Sequence, residues 1–362
     1  MTMSIIALLG RKDEPTDAVE EYCRYLGDAL RLHDFQLEIR RVPWQIHGWP
    51  KALRALRLQA ARWRYAWVLV QYTALAWSAR AFPLKLLRVL KTLKSAGARV
   101  GLVFHDVEPY SGMRLVDFLR RFIQVRTMRR ALSLADLAIF TVPTEKLSWL
   151  NVVPPHASFI PVGPNLPIPP AFQERPGQGN VPTIGVFSIS GGKAGARETQ
   201  TILAAVHHAA QGLGKLRLSV FGRHSELREP ELRRGLADLP VEISVEGVLP
   251  SQQIVERLSR CDVLLFVRGA ISSRRGSAVA AIACELPIIA SPGSETSRLI
   301  EDAGVVLVSA DQPDQLNAAL VRVLSDRKYR QELAGRNRAA YHSHFSWPSI
   351  AACLATVLKK QP

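Results

Sequence analysis

The sequence predicts an α/β protein of two doubly wound lobes, and three observations carry that prediction. At 362 residues the chain exceeds what one ordinary hydrophobic core serves and suits two domains of roughly 150 to 200 residues. In both halves, short apolar runs alternate with amphipathic segments of helix length, the rhythm of parallel strands covered by crossover helices. Between the halves, PVGPNLPIPPAFQERPGQGNVP (161–182) contains seven prolines and suits neither helix nor strand. With 48% hydrophobic and 22% charged residues, the composition is globular.

The elements follow in order. SIIALLG (4–10) reads as a first strand, and DAVEEYCRYLGDALRLH (17–33) as an amphipathic helix with Asp17 as N-cap and Glu20 three residues on. QLEIRRV (36–42) is a second strand, PKALRALRLQAARWR (50–64) a basic helix, and WVLVQY (67–72) a third strand. A helix over 83–97, a strand over 99–105, a helix over 113–135 and a strand over 136–142 complete the first set. After the proline-rich linker come strands at 183–190, 216–222, 241–247, 262–267, 286–291 and 304–310, with helices at 197–213, 251–261 and 277–285.

Charge is uneven. The formal net charge is +16, and residues 1–170 hold 24 Lys/Arg against 13 Asp/Glu. Between Glu38 and Asp106 there is no acidic residue, while 13 Lys/Arg alternate with Trp44, Trp49, Trp63, Trp67 and Trp77. Cations among indoles suit an anionic membrane surface, where each Lys or Arg contributes about 1 kcal/mol and the indole sits at headgroup level. The competing reading is a solvated basic face over a tryptophan-containing core. No RNP, KH, zinc-finger or basic-zipper signature points to nucleic acid. Four separated cysteines without a CxxC pair fit reduced thiols in a cytoplasm. MTMSIIALLG lacks the basic start of a signal peptide, and no apolar run reaches the roughly 20 residues that span a bilayer.

In open α/β sheets, ligands bind beyond the carboxyl ends of strands, where helix N-termini face an anion. Four loops of the second lobe are placed there. FSISGGKAGARE (187–198) offers Gly192 for close backbone approach and Lys193 for charge, with Arg197 nearby. VFGRHSE (219–225) ends a strand beside Arg223. ISSRRGS (271–277) sets Arg274, Arg275, Gly276 and Ser277 before a short apolar helix, and guanidinium grips phosphate oxygens bidentately. SPGSETSRLIEDAG (291–304) offers Ser294, Glu295 and Thr296, which also suit a helix cap.

Taken in order, these segments resemble the GT-B glycosyltransferases, in particular glycosyltransferase family 4. VEGVLPSQQIVERLSRCDVLLFV, AAIACELPIIAS, VFHDVEPY (103–110), FIPVGPNLP (159–167) and SHFSW (343–347) carry the resemblance across nearly the whole chain. It implies two Rossmann-like domains facing across a cleft. The expected boundaries are an acceptor domain over 1–168, a donor domain over 169–345 and a helix over 346–362 returning to the first domain. Family members carry paired glutamates that here fall at Ser272 and Ala280, and the glycine of their Cys-Gly-Leu-Pro turn is Glu285. Retention or inversion is therefore left open.

The resemblance implies an enzyme that moves a sugar from a nucleotide-sugar donor to a membrane-associated, polyprenyl-diphosphate-linked glycan. The setting would be bacterial-type polysaccharide or glycoconjugate synthesis at the cytoplasmic face of the membrane. No DxD motif occurs, and neither metal nor cofactor is expected. Gly192, Lys193, Arg223, Arg274, Arg275, Gly276, Ser277, Glu295 and Thr296 are the donor-side candidates. Gly10, Arg11, Lys12 and Thr16, in GRKDEPTD (10–17), are the acceptor-side candidates. His105, Asp106 and Asp13 are the catalytic candidates, with Glu14 and Asp17 as further choices for a general base. A catalytically inactive scaffold in a glycan assembly complex is the alternative, favoured by the missing glutamates. A sugar-nucleotide epimerase is a third, weaker one.

Overall fold

A computed structural model describes residues 2–14, 16–169 and 181–360, so residues 170–180 of the expected linker lie outside the described residues. The chain forms two compact units, Met1–Pro161 with Trp347–Pro362, and Val162–Ser346. Each is a parallel six-stranded sheet with helices.

The first unit runs β1 (Met3–Leu9), α1 (Ala18–Leu30), β2 (Phe35–Arg41), α2 (Trp44–Ala60), β3 (Trp67–Tyr72), α3 (Leu86–Ser95), β4 (Arg99–Phe104), α4 (Leu115–Leu132), β5 (Leu137–Phe140) and β6 (Ala157–Phe159). The sheet order is β2-β1-β3-β4-β5-β6, so the order reverses between β1 and β3. Such a switch point opens a crevice at the strand carboxyl ends. Asp17 caps α1 by accepting from the backbone N–H groups of Val19 and Glu20, as its position ahead of the helix predicts. α2 starts six residues before the predicted segment and is broken at Gly48, whose φ is 71°.

The second unit contains β7 (Thr183–Phe187), α5 (Gly192–Leu213), β8 (Leu216–Phe221), α6 (Glu229–Gly235), β9 (Val241–Val245), α7 (Ser251–Ser259), β10 (Val263–Ala270), α8 (Gly276–Ala283), β11 (Ile288–Ser291), α9 (Arg298–Glu301), β12 (Val305–Leu307), α10 (Pro313–Ser325) and α11 (Arg327–Ala340). Its order, β12-β11-β10-β7-β8-β9, puts the switch point between β7 and β10. The last helix, α12 (Trp347–Lys360), belongs to the first unit, where Trp347 stacks on Tyr25 at 5.6 Å and meets the edge of Tyr22 at 5.4 Å.

The tryptophan-rich surface expected between Glu38 and Asp106 is corrected by the structure. Trp44, Trp63, Trp67 and Trp77 are buried in the core of the first unit, and Trp49 packs against it. Two of the indole N–H groups are used inside: Trp44 Nε1 donates to Ala76 O at 2.8 Å and Trp77 Nε1 to Gln71 O at 2.9 Å. An indole with its donor satisfied and its rings in the core has nothing to gain at a headgroup layer. Among the described residues, no helix is long and apolar enough to cross a membrane.

Candidate active site

In the first unit the β1–α1 loop closes on the segment after β3. Gly10 makes this approach possible, since a Cβ there would stand 2.2 Å from Ala76 O. Arg11 N–H donates to Ala76 O at 2.8 Å, and Arg41, from the end of β2, donates to Gly10 O and to the carboxylates of Asp17 and Glu20. Arg41 was not singled out in the sequence, because its partners lie more than twenty residues away.

The loop thus fixed lines a cavity of about 230 Å³ at the β1/β3 switch point, with Gly10, Arg11, Asp13 and Asp17 on one wall and Gln71, Thr73 and Asp106 on the other. Lys12 is exposed and pairs with Glu14 at 3.6 Å, and neither Lys12 nor Thr16 lines this cavity. A second cavity of about 510 Å³ lies beside it, lined among others by Tyr72, Arg80, Asp106, Glu108, Tyr110 and Arg120. Asp106 stands on the walls of both cavities, with one oxygen accepting from Ala74 N–H at 2.7 Å.

His105 lines neither cavity. Its Nε2 donates at 2.8 Å to Gln71 Oε1, while the Gln71 amide donates to Leu69 O, and its ring meets the edge of Tyr22 at 4.9 Å. Burial pushes its pKa down to about 4, against the pull of the Asp17 carboxylate. A neutral imidazole set behind Gln71 can position the cavity wall without touching what the cavity holds.

In the second unit, the candidate loops gather around the β7/β10 switch point. α5 begins at Gly191 and Gly192 with no side chain capping it, and Gly192 takes φ 60° in open space. Its free N–H groups face the direction in which an anion binds. Glu198, nearly two turns on, is buried and accepts from Ser190 N–H at 2.6 Å. Lys193 is exposed at the start of the helix, and Arg223 follows Gly222 with its N–H donating to Ser188 Oγ. α8 likewise starts uncapped at Arg275, with Gly276 exposed and Ser277 half-buried after it.

The arginine pair expected to grip phosphate divides. Arg274 is bound bidentately to Glu295, Nε and Nη2 each 2.7 Å from a carboxylate oxygen, and Ser272 Oγ donates to the same carboxylate at 3.2 Å. Burial pushes the Glu295 pKa up, but the Arg274 bonds outweigh it and hold the carboxyl below its usual range. Arg274 is thus a charge already neutralised by protein, and Glu295 orients Arg274 and Ser272. Thr296 is also committed internally: it is buried, donates to Ile271 O and accepts from Gly293 N–H.

Arg275 stands differently, and so does Arg268, which the sequence reading passed over. Both have a buried Nε without a hydrogen-bond partner among the described residues. Burial lowers the pKa of each; Arg223 adds to this at Arg268 against Glu198, and Arg274 and then Arg268 add to it at Arg275 against Glu295 and Glu198. The end of β8, the end of β10 and the start of α8 therefore bring Arg268 within the field of Arg223 and Arg275 within that of Arg268. A half-buried guanidinium whose Nε lacks a hydrogen-bond partner is costly, and an arriving phosphate or diphosphate that accepts from it removes that cost. Arg268 had a visible signal, because it interrupts the apolar run DVLLFV at a strand carboxyl end.

Known proteins share part of the sequence pattern and the fold. Residues 191–326 match the family described as glycosyl transferases group 1. Among solved structures the chain is similar to HepE of Anabaena in complex with UDP and glucose, at 16% identity and a TM-score of 0.67 over 99% of this chain and 100% of that one. It is similar to sucrose-phosphate synthase from Thermosynechococcus elongatus, at 18% identity and a TM-score of 0.70 over 99% and 98%. It is also similar to WaaG, a glycosyltransferase involved in lipopolysaccharide biosynthesis, at 12% identity and a TM-score of 0.59 over 98% and 99%. No curated protein matches the sequence. The likeness to these solved structures shows a shared fold of two Rossmann-like halves. Within it, the group 1 match lies wholly in the second unit, the unit that holds the arginine cluster.

Proposed function

We propose that the protein transfers a glycosyl group from a nucleotide-sugar donor, held by the second unit, to an acceptor held by the first. One observation carries this reading: Arg268 and Arg275, each with a buried Nε that has no hydrogen-bond partner among the described residues, stand at the switch point with the uncapped starts of α5 and α8. A departing nucleoside diphosphate accumulates negative charge as the glycosidic bond breaks, and donors fixed in advance stabilise it without reorganisation. Arg223 adds charge at the rim and Gly192 allows the backbone near. The crystallised complexes of HepE with UDP and glucose support a nucleotide-sugar donor for this fold.

On the acceptor side, Asp106 is our candidate for the group that takes the acceptor proton, because it alone among His105, Asp106 and Asp13 faces both cavities. Gly10 and Arg11 shape the cavity, and His105 positions Gln71. The acceptor we infer is a polyprenyl-diphosphate-linked glycan in polysaccharide or glycoconjugate synthesis, with the protein cytoplasmic and peripheral to the membrane. The larger cavity supports it, offering Arg80 for an anionic group and the exposed Tyr110 ring for a sugar face.

A non-catalytic scaffold is the second reading, favoured by Ser272 and Ala280, both buried and neither a carboxylate. The experiment is thermal unfolding with UDP, GDP, dTDP and ADP, followed by product analysis with the nucleotide sugar that binds. A ligand at a hundred times its Kd stabilises by about 2.7 kcal/mol. Stabilisation by one nucleotide and release of it on turnover support transfer; no shift with any of them sinks the donor site.

A further inference from the structure

The outward face of α4 is a second surface that calls for an occupant. The helix buries Gln124, Thr127, Met128 and Ala131, while Leu115, Phe118, Leu119 and Phe122 recur at i, i+3, i+4 and i+7 on the opposite side. Those four are 90, 61, 54 and 63% exposed, and Met113, just ahead of the helix, is 92% exposed. Apolar side chains scattered singly need no explanation, but four on two turns of helix with a fifth just ahead mark an interaction site.

The same outward stripe then turns basic. Arg126 and Arg130 are exposed on it and Arg121 on its flank. The one acidic residue of the helix, Asp117, is buried, where it accepts from Arg120 Nη1 at 2.5 Å and from Arg114 N–H. An apolar wedge followed by cations, with no exposed carboxylate on the helix, complements a bilayer with an anionic surface and an apolar interior. The larger cavity lies against the opposite side of the helix, where Arg120 and the buried Gln124 line it. The Arg120 guanidinium is 4.8 Å from the Tyr110 ring, and Tyr110 lines the cavity too.

We propose that this face seats the protein on an anionic lipid bilayer, with Met113, Leu115, Phe118 and Phe122 at the acyl boundary and Arg121, Arg126 and Arg130 at the headgroup phosphates. The docking surface is thus α4 rather than the tryptophan-bearing segment. The inference deepens the membrane side of the proposed function and rests on that reading only for what the cavity receives.

The test is co-sedimentation of the full chain, without sugar or nucleotide, with vesicles of phosphatidylcholine alone and of phosphatidylcholine mixed with phosphatidylglycerol. Binding should require the anionic lipid and weaken with salt. F118S/F122S should reduce it by about tenfold or more, R121E/R126E should bring it to the phosphatidylcholine level, and L58S, on the exposed side of α2, should leave it unchanged. Circular dichroism establishes that each variant is folded. Unchanged binding by folded F118S/F122S, or equal binding to both vesicles, overturns the proposal. So does light scattering that shows a dimer lost in F118S/F122S with no vesicle binding by the parent, because a second copy then covers the face. Nucleotide-dependent thermal shifts on the same samples report the donor site separately.

Discussion

Arg274 and Glu295 hold each other through two bonds of 2.7 Å, one from a loop after β10 and the other from a loop after β11. The neighbouring Arg275 is left without such a partner at its buried Nε. Two adjacent guanidiniums thus have opposite assignments, one tying loops together and one available to a ligand. Arg275→Ala should weaken nucleotide binding by ten- to a hundredfold, the loss of one or two charge-assisted bonds, with little change in stability. Arg274→Ala should act chiefly on stability, destabilising by about 1 to 3 kcal/mol through a buried carboxylate left unmatched. Calorimetry with the nucleotide that binds, beside denaturant unfolding, separates the two.

Asp106→Asn should lower kcat by about a hundred- to ten-thousandfold if Asp106 takes the acceptor proton. An asparagine oxygen can still accept from Ala74 N–H, so the fold and the nucleotide affinity should persist. A variant with intact turnover would move the base elsewhere.

His105 predicts an acid-sensitive first unit. In the unfolded chain the imidazole takes a proton near pH 6.5, while in the fold it stays neutral down to about 4. Below 6.5 the unfolded state therefore binds more protons, so stability falls as pH drops from 6.5 to 4 and is level above that window, a span on the order of 3 kcal/mol. His105→Gln should flatten that part of the profile in urea titrations at several pH values. An unchanged slope would show that carboxylates alone set it.

Glu285 occupies the left-handed position that ends α8, at φ 55°, with Glu285 N–H on Ile282 O and Leu286 N–H on Ala281 O. Glycine is the usual residue there, and here Arg338 holds the glutamate through two bonds of 2.7 Å. Arg338 is largely exposed, so the pair adds at most about 1 kcal/mol, similar to the backbone cost it offsets. Glu285→Gly should leave stability within about 1 kcal/mol, whereas Glu285→Val keeps the strain, loses the pair and should destabilise by about 1 to 2 kcal/mol. Chemical unfolding of the two variants checks the order.

The fold was legible because its strands are apolar runs with clear ends. Trp67–Tyr72 is a strand over the residues the sequence marks, and Asp17 announces its helix by position. Less was legible where the pattern is thin: α11 buries only Leu333, Asn337 and Ala340, and β6 is three residues long. The tryptophans misled because composition places indoles beside arginines without saying which way each ring points. At the donor-side cluster, loop positions were readable, but the division of labour between Arg274 and Arg275 depends on Glu295, 21 residues on from Arg274. Arg268 acquires meaning only when β8, β10 and α8 converge.

The burial of the indoles has a spectroscopic consequence. All seven tryptophans, Trp44, Trp49, Trp63, Trp67, Trp77, Trp149 and Trp347, belong to the first unit, and the second has none. Intrinsic tryptophan emission is therefore a built-in label for one half of the molecule, following its melting while the other half stays dark. A nucleotide that shifts this emission from its seat on the dark half would reveal that the two halves communicate.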